Sequence, residues 1–564
     1  MNSAISLLPD QLSSLFLRLF PDADDAVLAL VRELSAANQA GHVCLPLAHR
    51  AERKALQRSQ LVGRPGDYAP LILDDAGRLY FARHWHDEDI LARDLARLAE
   101  PLPPPDESAL AALLARLFPG GDTGPDRQKL AAALAARQRL MVISGGPGTG
   151  KTTTVVRLLA LLAALSPRPL VMAMAAPTGK AAARLSESVR GARDRLDVDE
   201  AVRRQLPAQA ETLHRLLGLR PGAEAPRHHA GNPLPLDVLV VDEASMIDLA
   251  LMARAVAALP SQARLILLGD RDQLSSVEAG AVLGELCGRI AYREETRQWL
   301  RRVCGDSLPD DGAEGGRLTD CVALLTHSHR FGADSGIGEL ARLVNGGDGR
   351  GSLDLLQAGG HPDIGLQPAV AAAALLDKRR GYLQAATAGA EPDAVQRAFS
   401  AFMLLAAERR QVADCNRELE RQLELAGLKQ PGRDWYAGRP VMIAENDYGL
   451  GLFNGDIGFA LPRAQGLRVV FPAGDGGWRE FAPGRLPAHD TVFAMTVHKS
   501  QGSEYDEVWL QLPSQPGALL NRALLYTAIT RARQRFAAAG SGEVWLRGVE
   551  LAPQRHSGLA DRLR

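Results

Sequence analysis

Apolar positions along this chain recur with two different periods, and the change from one to the other marks its parts. Leu12, Leu15, Leu17, Leu19 and Phe20, followed by Val27, Leu28, Leu30, Val31 and Leu34, predict two amphipathic helices. Leu71-Ile72-Leu73 and Leu79-Tyr80-Phe81 flank the turn-forming Asp74-Asp75-Ala76-Gly77 and predict a hairpin, after which His84 and His86 alternate as on one strand face. Near Asp87 and Glu88 those histidines suggest either a metal site or a solvated polar edge. The proline run 101–105 is stiff and extended, and helical spacing resumes with Leu110, Leu113, Leu114 and Leu117. From about residue 109 short apolar runs alternate with helical patterns, predicting parallel strands at 140–144, 170–176, 237–242 and 264–268, and again at 400–406 and 505–511. The fold class is therefore α/β, with two strand-and-helix lobes behind a mainly helical N-terminal part. Gly438, Gly449, Gly451, Gly455, Gly458 and Gly466 space short apolar runs into a small β-rich insertion near 437–490. The polar, glycine-rich residues 304–316 read as a loop.

Composition changes this picture little. The 564 residues exceed one core, and 46% hydrophobic with 23% charged residues is ordinary for a multidomain cytosolic-type chain. A formal net charge of −1 argues against a protein that coats nucleic acid, though a local positive channel remains open. The five cysteines form no C-x-x-C pair, so neither a zinc finger nor a disulfide framework is indicated. The most apolar stretch, 158–176, is broken by Pro167-Arg168-Pro169, and no signal-peptide pattern opens the chain, so no membrane partner is expected and the cytoplasm is the expected location.

Chemistry enters at residues 143–152, Ile-Ser-Gly-Gly-Pro-Gly-Thr-Gly-Lys-Thr. Here the pattern G-x-x-x-x-G-K-[ST] follows an apolar strand and opens an apolar helix, the context that a phosphate-binding loop requires. The candidate nucleotide contacts are Gln128, Gly145, Gly146, Pro147, Gly148, Thr149, Gly150, Lys151, Thr152 and Thr153, with ATP as the ligand. Lys151 reaches the terminal phosphates and Thr152 a Mg2+ ion. The strand 237–242 ends in Asp242-Glu243, where Asp242 suits the same Mg2+ and Glu243 the polarising of an attacking water. The next strand presents Gly269-Asp270-Arg271-Asp272-Gln273, whose Gln273 is the candidate phosphate sensor.

Four segments in the first half, 176–182, 212–218, 241–246 and 269–273, resemble successive motifs of superfamily 1 helicases of the five-prime-to-three-prime branch. Leu325-Thr326-His327-Ser328-His329-Arg330-Phe331, the Thr496 to Glu504 run and Tyr526-Thr527-Ala528-Ile529-Thr530-Arg531-Ala532-Arg533 are similar to motifs of the second motor lobe. Within that branch the chain resembles the alpha-subunit family of bacterial exodeoxyribonuclease V over most of its length. The resemblance implies two RecA-like P-loop NTPase lobes, 106–325 and 326–564. It also implies a strand-separating hairpin near 218–235, an SH3-like barrel near 437–490 and a partner-docking domain at 1–105. It gives Arg531, with Arg330 as a second contact, the role of a guanidinium that stabilises charge on the transferring phosphate. It makes Thr178, Lys180, Thr212, His214, Thr496, His498 and Ser500 candidate contacts to the DNA backbone. Helix capping by Thr178 and packing of His214 are the structural alternatives. An aromatic content of 5% favours backbone tracking over base stacking.

The activity implied is ATP-driven unwinding, with single-stranded and double-stranded DNA ends as substrates and RecB-like and RecC-like subunits as partners in a heterotrimer. No carboxylate-rich nuclease constellation stands out, so cleavage is expected in a partner. A free-standing helicase of the same branch and an ATP-gated regulatory subunit without translocation remain the alternatives.

Overall fold

The computed structural model describes the chain except for Met1, residues 48–52, 54–55, 57, 121–124, 221–224, 307, 309–314, 333 and 474–475. Part of the 304–316 loop and part of the 218–235 hairpin thus lie outside the described residues. The chain divides into two compact units, one of residues 1–271, 275–327 and 554–564, the other of 272–274 and 328–553. Among the described residues no helix is long and apolar enough to cross a membrane.

The first unit begins with the helices Asn2–Leu19 and Asp25–Gln39, the second capped by Asp24, whose side chain accepts from the Ala26 N–H. Strands β1 (Cys44–Pro46), β2 (Val62–Gly63), β3 (Leu71–Leu73) and β4 (Arg78–Phe81) form a sheet in the order β1-β4-β3-β2. Phe16, Val27, Val31 and Leu34 pack against Leu71 and Leu79 as a separate small core. The residues after β4 correct one expectation. His84 and His86 lie on a helix, Ala82–Leu98, whose buried face is His84, Glu88, Leu91, Ala92, Leu95 and Leu98. His84 Nδ1 meets Asn38 Nδ2 at 3.0 Å, and among the described residues no group of three or more His, Cys, Asp or Glu is arranged to hold a metal.

Beyond the proline run lies a six-stranded parallel sheet of β5 (Leu140–Gly145), β6 (Met172–Ala176), β7 (Glu211–Thr212), β8 (Val238–Val241), β9 (Arg264–Gly269) and β10 (Val322–Leu325), in the order β10-β5-β9-β8-β6-β7. The central strands β5 and β8 are buried along their whole length, which is why they read as continuous apolar runs rather than alternating ones. Helices pack on both faces in two apolar layers, one including Leu134, Val155 and Leu159, the other Met252, Val256 and Leu283.

The C-terminal residues 554–564, expected in the second lobe, belong to the first unit. Glu88, fully buried, draws them there: its carboxylate accepts from Tyr80 Oη (3.2 Å), Ser557 Oγ (2.8 Å), the Gly558 N–H (2.9 Å) and Arg562 Nε (3.0 Å). A Cβ at Gly558 would stand 2.4 Å from Tyr80 Oη, so glycine is what lets the tail backbone reach the acid. Arg562 also bonds Asp89, and Arg555 donates to the carbonyls of Gly41, Ser276 and Glu278.

The second unit holds a parallel sheet of β11 (Ile364–Gln367), β12 (Phe402–Ala406), β18 (Ala494–Thr496), β19 (Tyr505–Gln511) and β20 (Ala532–Ala539), in the order β11-β20-β19-β12-β18. Between β12 and β18 the chain makes five antiparallel strands, β13 (Pro440–Ile443), β14 (Ile457–Arg463), β15 (Gly466–Pro472), β16 (Trp478–Phe481) and β17 (His489–Thr491), in the order β16-β15-β14-β13-β17. Val441, Ala460, Val469 and Phe471 form a small core on one face of this insertion. Gly458 leaves room for the Phe471 ring, which a Cβ would meet at 2.5 Å.

Candidate functional site

In the first unit, β5 runs into the glycine loop and the helix Lys151–Leu165 begins directly after it. Gly148 and Gly150 have φ of 76° and 78°, left-handed values that turn the backbone amides around one centre. Gln128 Nε2 donates to the Thr149 carbonyl at 3.0 Å, and a Cβ on Gly150 would stand 2.4 Å from that same nitrogen. Thr149 Oγ1 closes the loop on the Gly146 carbonyl at 2.8 Å. Lys151 Nζ folds back onto the carbonyls of Gly145 (2.6 Å) and Gly146 (3.1 Å), so its charge lies over the loop concavity. Gly146, Pro147 and Thr152 are half-buried and Thr153 is exposed.

Parallel strands put their C-terminal ends on one edge, so β8 delivers Asp242 and Glu243 to the edge that carries the loop. The Asp242 N–H donates to the Ala175 carbonyl at 2.9 Å, and the Glu243 N–H donates to Asp242 Oδ1 at 2.9 Å. Glu243 has φ 51° and ψ 39°, a left-handed conformation that costs a non-glycine residue about 1–2 kcal/mol. Desolvation, and next the Glu243 charge, push the Asp242 carboxyl above its ordinary range, while Lys151 and Arg184 pull it down. Lys151 and the two acids thus share one electrostatic neighbourhood. Arg184, on the helix Gly179–Asp194, was not singled out in the sequence although it lies one turn beyond Lys180. From the end of β9, Arg271 donates its N–H to Ser144 Oγ at 3.2 Å, tying that edge to β5.

Thr178 follows β6 and Thr212 ends the neighbouring β7, where it pairs with Ala176 of β6. Each caps the next helix: Thr178 Oγ1 accepts from the Ala181 N–H and Thr212 Oγ1 from the Arg215 N–H. Lys180 is half-buried and His214 exposed beside them. From Arg227 to Asn232 the chain makes a tight turn in which His229 and Asn232 exchange backbone hydrogen bonds of 3.1 and 2.9 Å.

In the second unit Thr496 ends β18 and its Oγ1 accepts from the Lys499 N–H at 3.3 Å. His498 is half-buried, but Ser500 is fully buried and its hydroxyl donates to the Val497 carbonyl at 2.7 Å. That hydroxyl is already engaged, so Ser500 is removed from the DNA-contact set. Arg330 pairs with Glu504 at 2.8 Å. Arg531 is only 3% exposed, with Nε on the Thr527 carbonyl (3.2 Å) and Nη1 on the Ser503 carbonyl (3.2 Å). Gln273 is buried on the short segment Asp272–Leu274, which groups with the second unit. Sequence reasoning also missed Thr527 and Gln501, which hold Leu274. The available signal was a polar residue inside the apolar helix Arg522–Ile529 and a glutamine beside Gly502.

Residues 128–279 match the AAA domain family, and residues 491–537 match the UvrD-like helicase C-terminal domain family. The RecBCD enzyme subunit RecD of Mycobacterium tuberculosis is 42% identical over 548 residues, covering 94% of this chain and 88% of that protein. The RecBCD enzyme subunit RecD of Haemophilus influenzae is 37% identical, covering 86% and 80%. The ATP-dependent RecD2 DNA helicase of Deinococcus radiodurans is 30% identical, covering 94% and 67%. A glycine loop, a paired acid and second-lobe arginines carried on two parallel sheets, at this level of identity over nearly the whole length, show that the chain belongs to the RecD family.

Proposed function

We propose that this chain is the ATP-dependent five-prime-to-three-prime DNA helicase subunit of a RecBCD-type helicase–nuclease, acting in the cytoplasm with RecB-like and RecC-like subunits on double-strand DNA ends. The observation that carries the reading is the juxtaposition of Lys151, Asp242 and Glu243 at one edge of a parallel sheet in a chain of this family. Gly145 to Thr153, with Gln128 behind the loop, hold the triphosphate. Thr152 and Asp242 are the residues to hold Mg2+. They fit a cation, because Asp242 and Glu243 place two carboxylates side by side in surroundings that raise the Asp242 proton affinity. The bound ion would neutralise phosphate charge.

Glu243 orients the attacking water, Gln273 senses the terminal phosphate, and Arg330 and Arg531 stabilise charge on the phosphate in transfer. Thr178, Lys180, Thr212, His214, Thr496 and His498 track the DNA backbone without reading bases. Residues 1–105 dock a partner, the five antiparallel strands between Pro440 and Thr491 act as the SH3-like module, and the turn around Arg227–Asn232 is the tip of the separating hairpin. Cleavage is assigned to a partner subunit.

Strand displacement on duplexes bearing opposite single-stranded tails, with the chain alone and in complex with its co-purifying partners, tests polarity and autonomy together. Lys151→Gln is expected to abolish DNA-stimulated ATP turnover while the fold and partner binding persist. Undiminished turnover in that variant overturns the assignment.

A further inference from the structure

Leu274 is buried in the apolar core of the second unit, and both of its backbone polar groups are held by side chains distant in sequence. Its N–H donates to Thr527 Oγ1 at 2.9 Å across 253 residues, and its carbonyl accepts from Gln501 Nε2 at 2.9 Å across 227 residues. Thr527 is itself fully buried, and its own carbonyl accepts from Arg531 Nε at 3.2 Å and from Thr530 Oγ1 at 3.1 Å. Arg531 Nη1 continues to the carbonyl of Ser503, two residues from Gln501. The contacts close a ring from Leu274 to Thr527, Arg531, Ser503, Gln501 and back to Leu274. Gln273 is bonded covalently to one member of that ring, and Glu504, beside Ser503, holds Arg330.

We propose that Thr527 is a positioning residue that fixes Gln273 and Arg531 in one arrangement, its hydroxyl setting the sensor segment and its carbonyl aiming the guanidinium. A buried N–H and a buried guanidinium each need their partners, so neither can shift alone without leaving a polar group unsatisfied. The ring therefore favours concerted movement of sensor and arginine over independent movement. This inference rests on the reading of Gln273 and Arg531 as phosphate-facing residues.

The test uses the full chain in its complex and compares Thr527→Val, which keeps shape and removes the acceptor, with Thr527→Ser, which keeps the hydroxyl. Thr527→Val is expected to lower kcat of DNA-stimulated ATP hydrolysis by about tenfold or more, with KM for ATP within about threefold of the parent, because the loss falls on the transition state. Thr527→Ser is expected to restore kcat. Gln501→Met, which removes the donor to the Leu274 carbonyl, is expected to give the same split and serves if Thr527→Val does not fold. Added to an Arg531→Lys background, Thr527→Val is expected to cost less than its loss in the parent, since the ring couples the sensor segment to the guanidinium. Parent-like kcat in both Thr527→Val and Gln501→Met, or fully additive losses with Arg531→Lys, overturns the proposal. An Arg531→Ala variant with parent kcat instead overturns the underlying reading of the arginine, which separates the two failures.

Discussion

Replacing Glu88 by alanine is expected to release the C-terminal tail from the first unit. The carboxylate is fully buried and accepts four hydrogen bonds, from Tyr80, Ser557, Gly558 and Arg562. Breaking a buried ion pair by removing one partner costs about 3–5 kcal/mol. Here Arg562 keeps Asp89 at 3.0 Å and its side chain is 20% exposed, so its charge is not stranded and the cost falls near the lower end. What remains is the loss at the Tyr80 hydroxyl and the Gly558 N–H, each an orphaned buried donor costing about 1–3 kcal/mol. A local loss of about 3 kcal/mol corresponds to roughly a hundredfold rise in the opening equilibrium. Native-state hydrogen exchange reads it directly at the Arg562 and Leu563 amides, which bond the carbonyls of Gly558 and Leu559. Exchange there is expected to accelerate about a hundredfold in Glu88→Ala. Glu88→Gln, which keeps the size but must turn an amide donor toward other donors, is expected to lie between. Exchange within threefold of the parent in Glu88→Ala would mean that the tail is held by other contacts and that the carboxylate is not its anchor.

Three further outcomes follow from individual groups. Burial, with Glu88 nearby, pushes the Glu285 carboxyl up to about 7 from an ordinary 4.5. The folded state therefore binds this proton more tightly, and stability falls as pH rises from about 4.5 to 7 and then levels. Glu285→Gln is expected to gain on the parent across that window by at most about 3 kcal/mol, which urea titrations at pH 5 and pH 8 would read as a pH-dependent difference. Gly150→Ala, at φ 78° and 2.4 Å from Gln128 Nε2, is expected to weaken binding of a fluorescent ATP analogue about tenfold or more while the second unit melts unchanged. Burial pushes the Cys44, Cys304 and Cys321 thiols up to about 12, leaving a thiolate fraction of roughly 10⁻⁴ at pH 8. Their labelling by a disulfide reagent is accordingly expected only after unfolding.

Legibility in the sequence followed the range of the interactions involved. The phosphate loop was readable because strand, glycines, Lys151 and helix all lie within one short stretch and each residue type answers to a local need. Asp242 and Glu243 were readable because β8 is buried throughout and ends abruptly in charge. His84 and His86 misled because their two-residue spacing mimics a strand, while the helix that carries them shows its apolar stripe only from Leu91 onward. Glu88 looked like a solvated acid since three of its four hydrogen-bond donors are more than 460 positions away. Thr178 and Thr212 were read by resemblance as contacts to the DNA backbone, and their side chains perform the capping that was weighed as the alternative for Thr178. Ser500 could not be told from an exposed hydroxyl, because its burial depends on how the turn after β18 folds back. Leu274 gave no signal at all. A leucine after Gln273 looks like ordinary core until its two backbone bonds to Gln501 and Thr527 are seen.

The fastening of the tail at Glu88 has a consequence for synthesis on the ribosome. Ser557 lies 469 residues after the acid it satisfies. At about 5–20 residues per second, that separation leaves Glu88 without its tail partners for roughly 25–95 s of translation. The first unit, although it leaves the ribosome first, completes its packing last, after the whole second unit has been made. A chain without residues 554–564 would carry every motor motif and still expose the apolar and acidic surface that those residues cover.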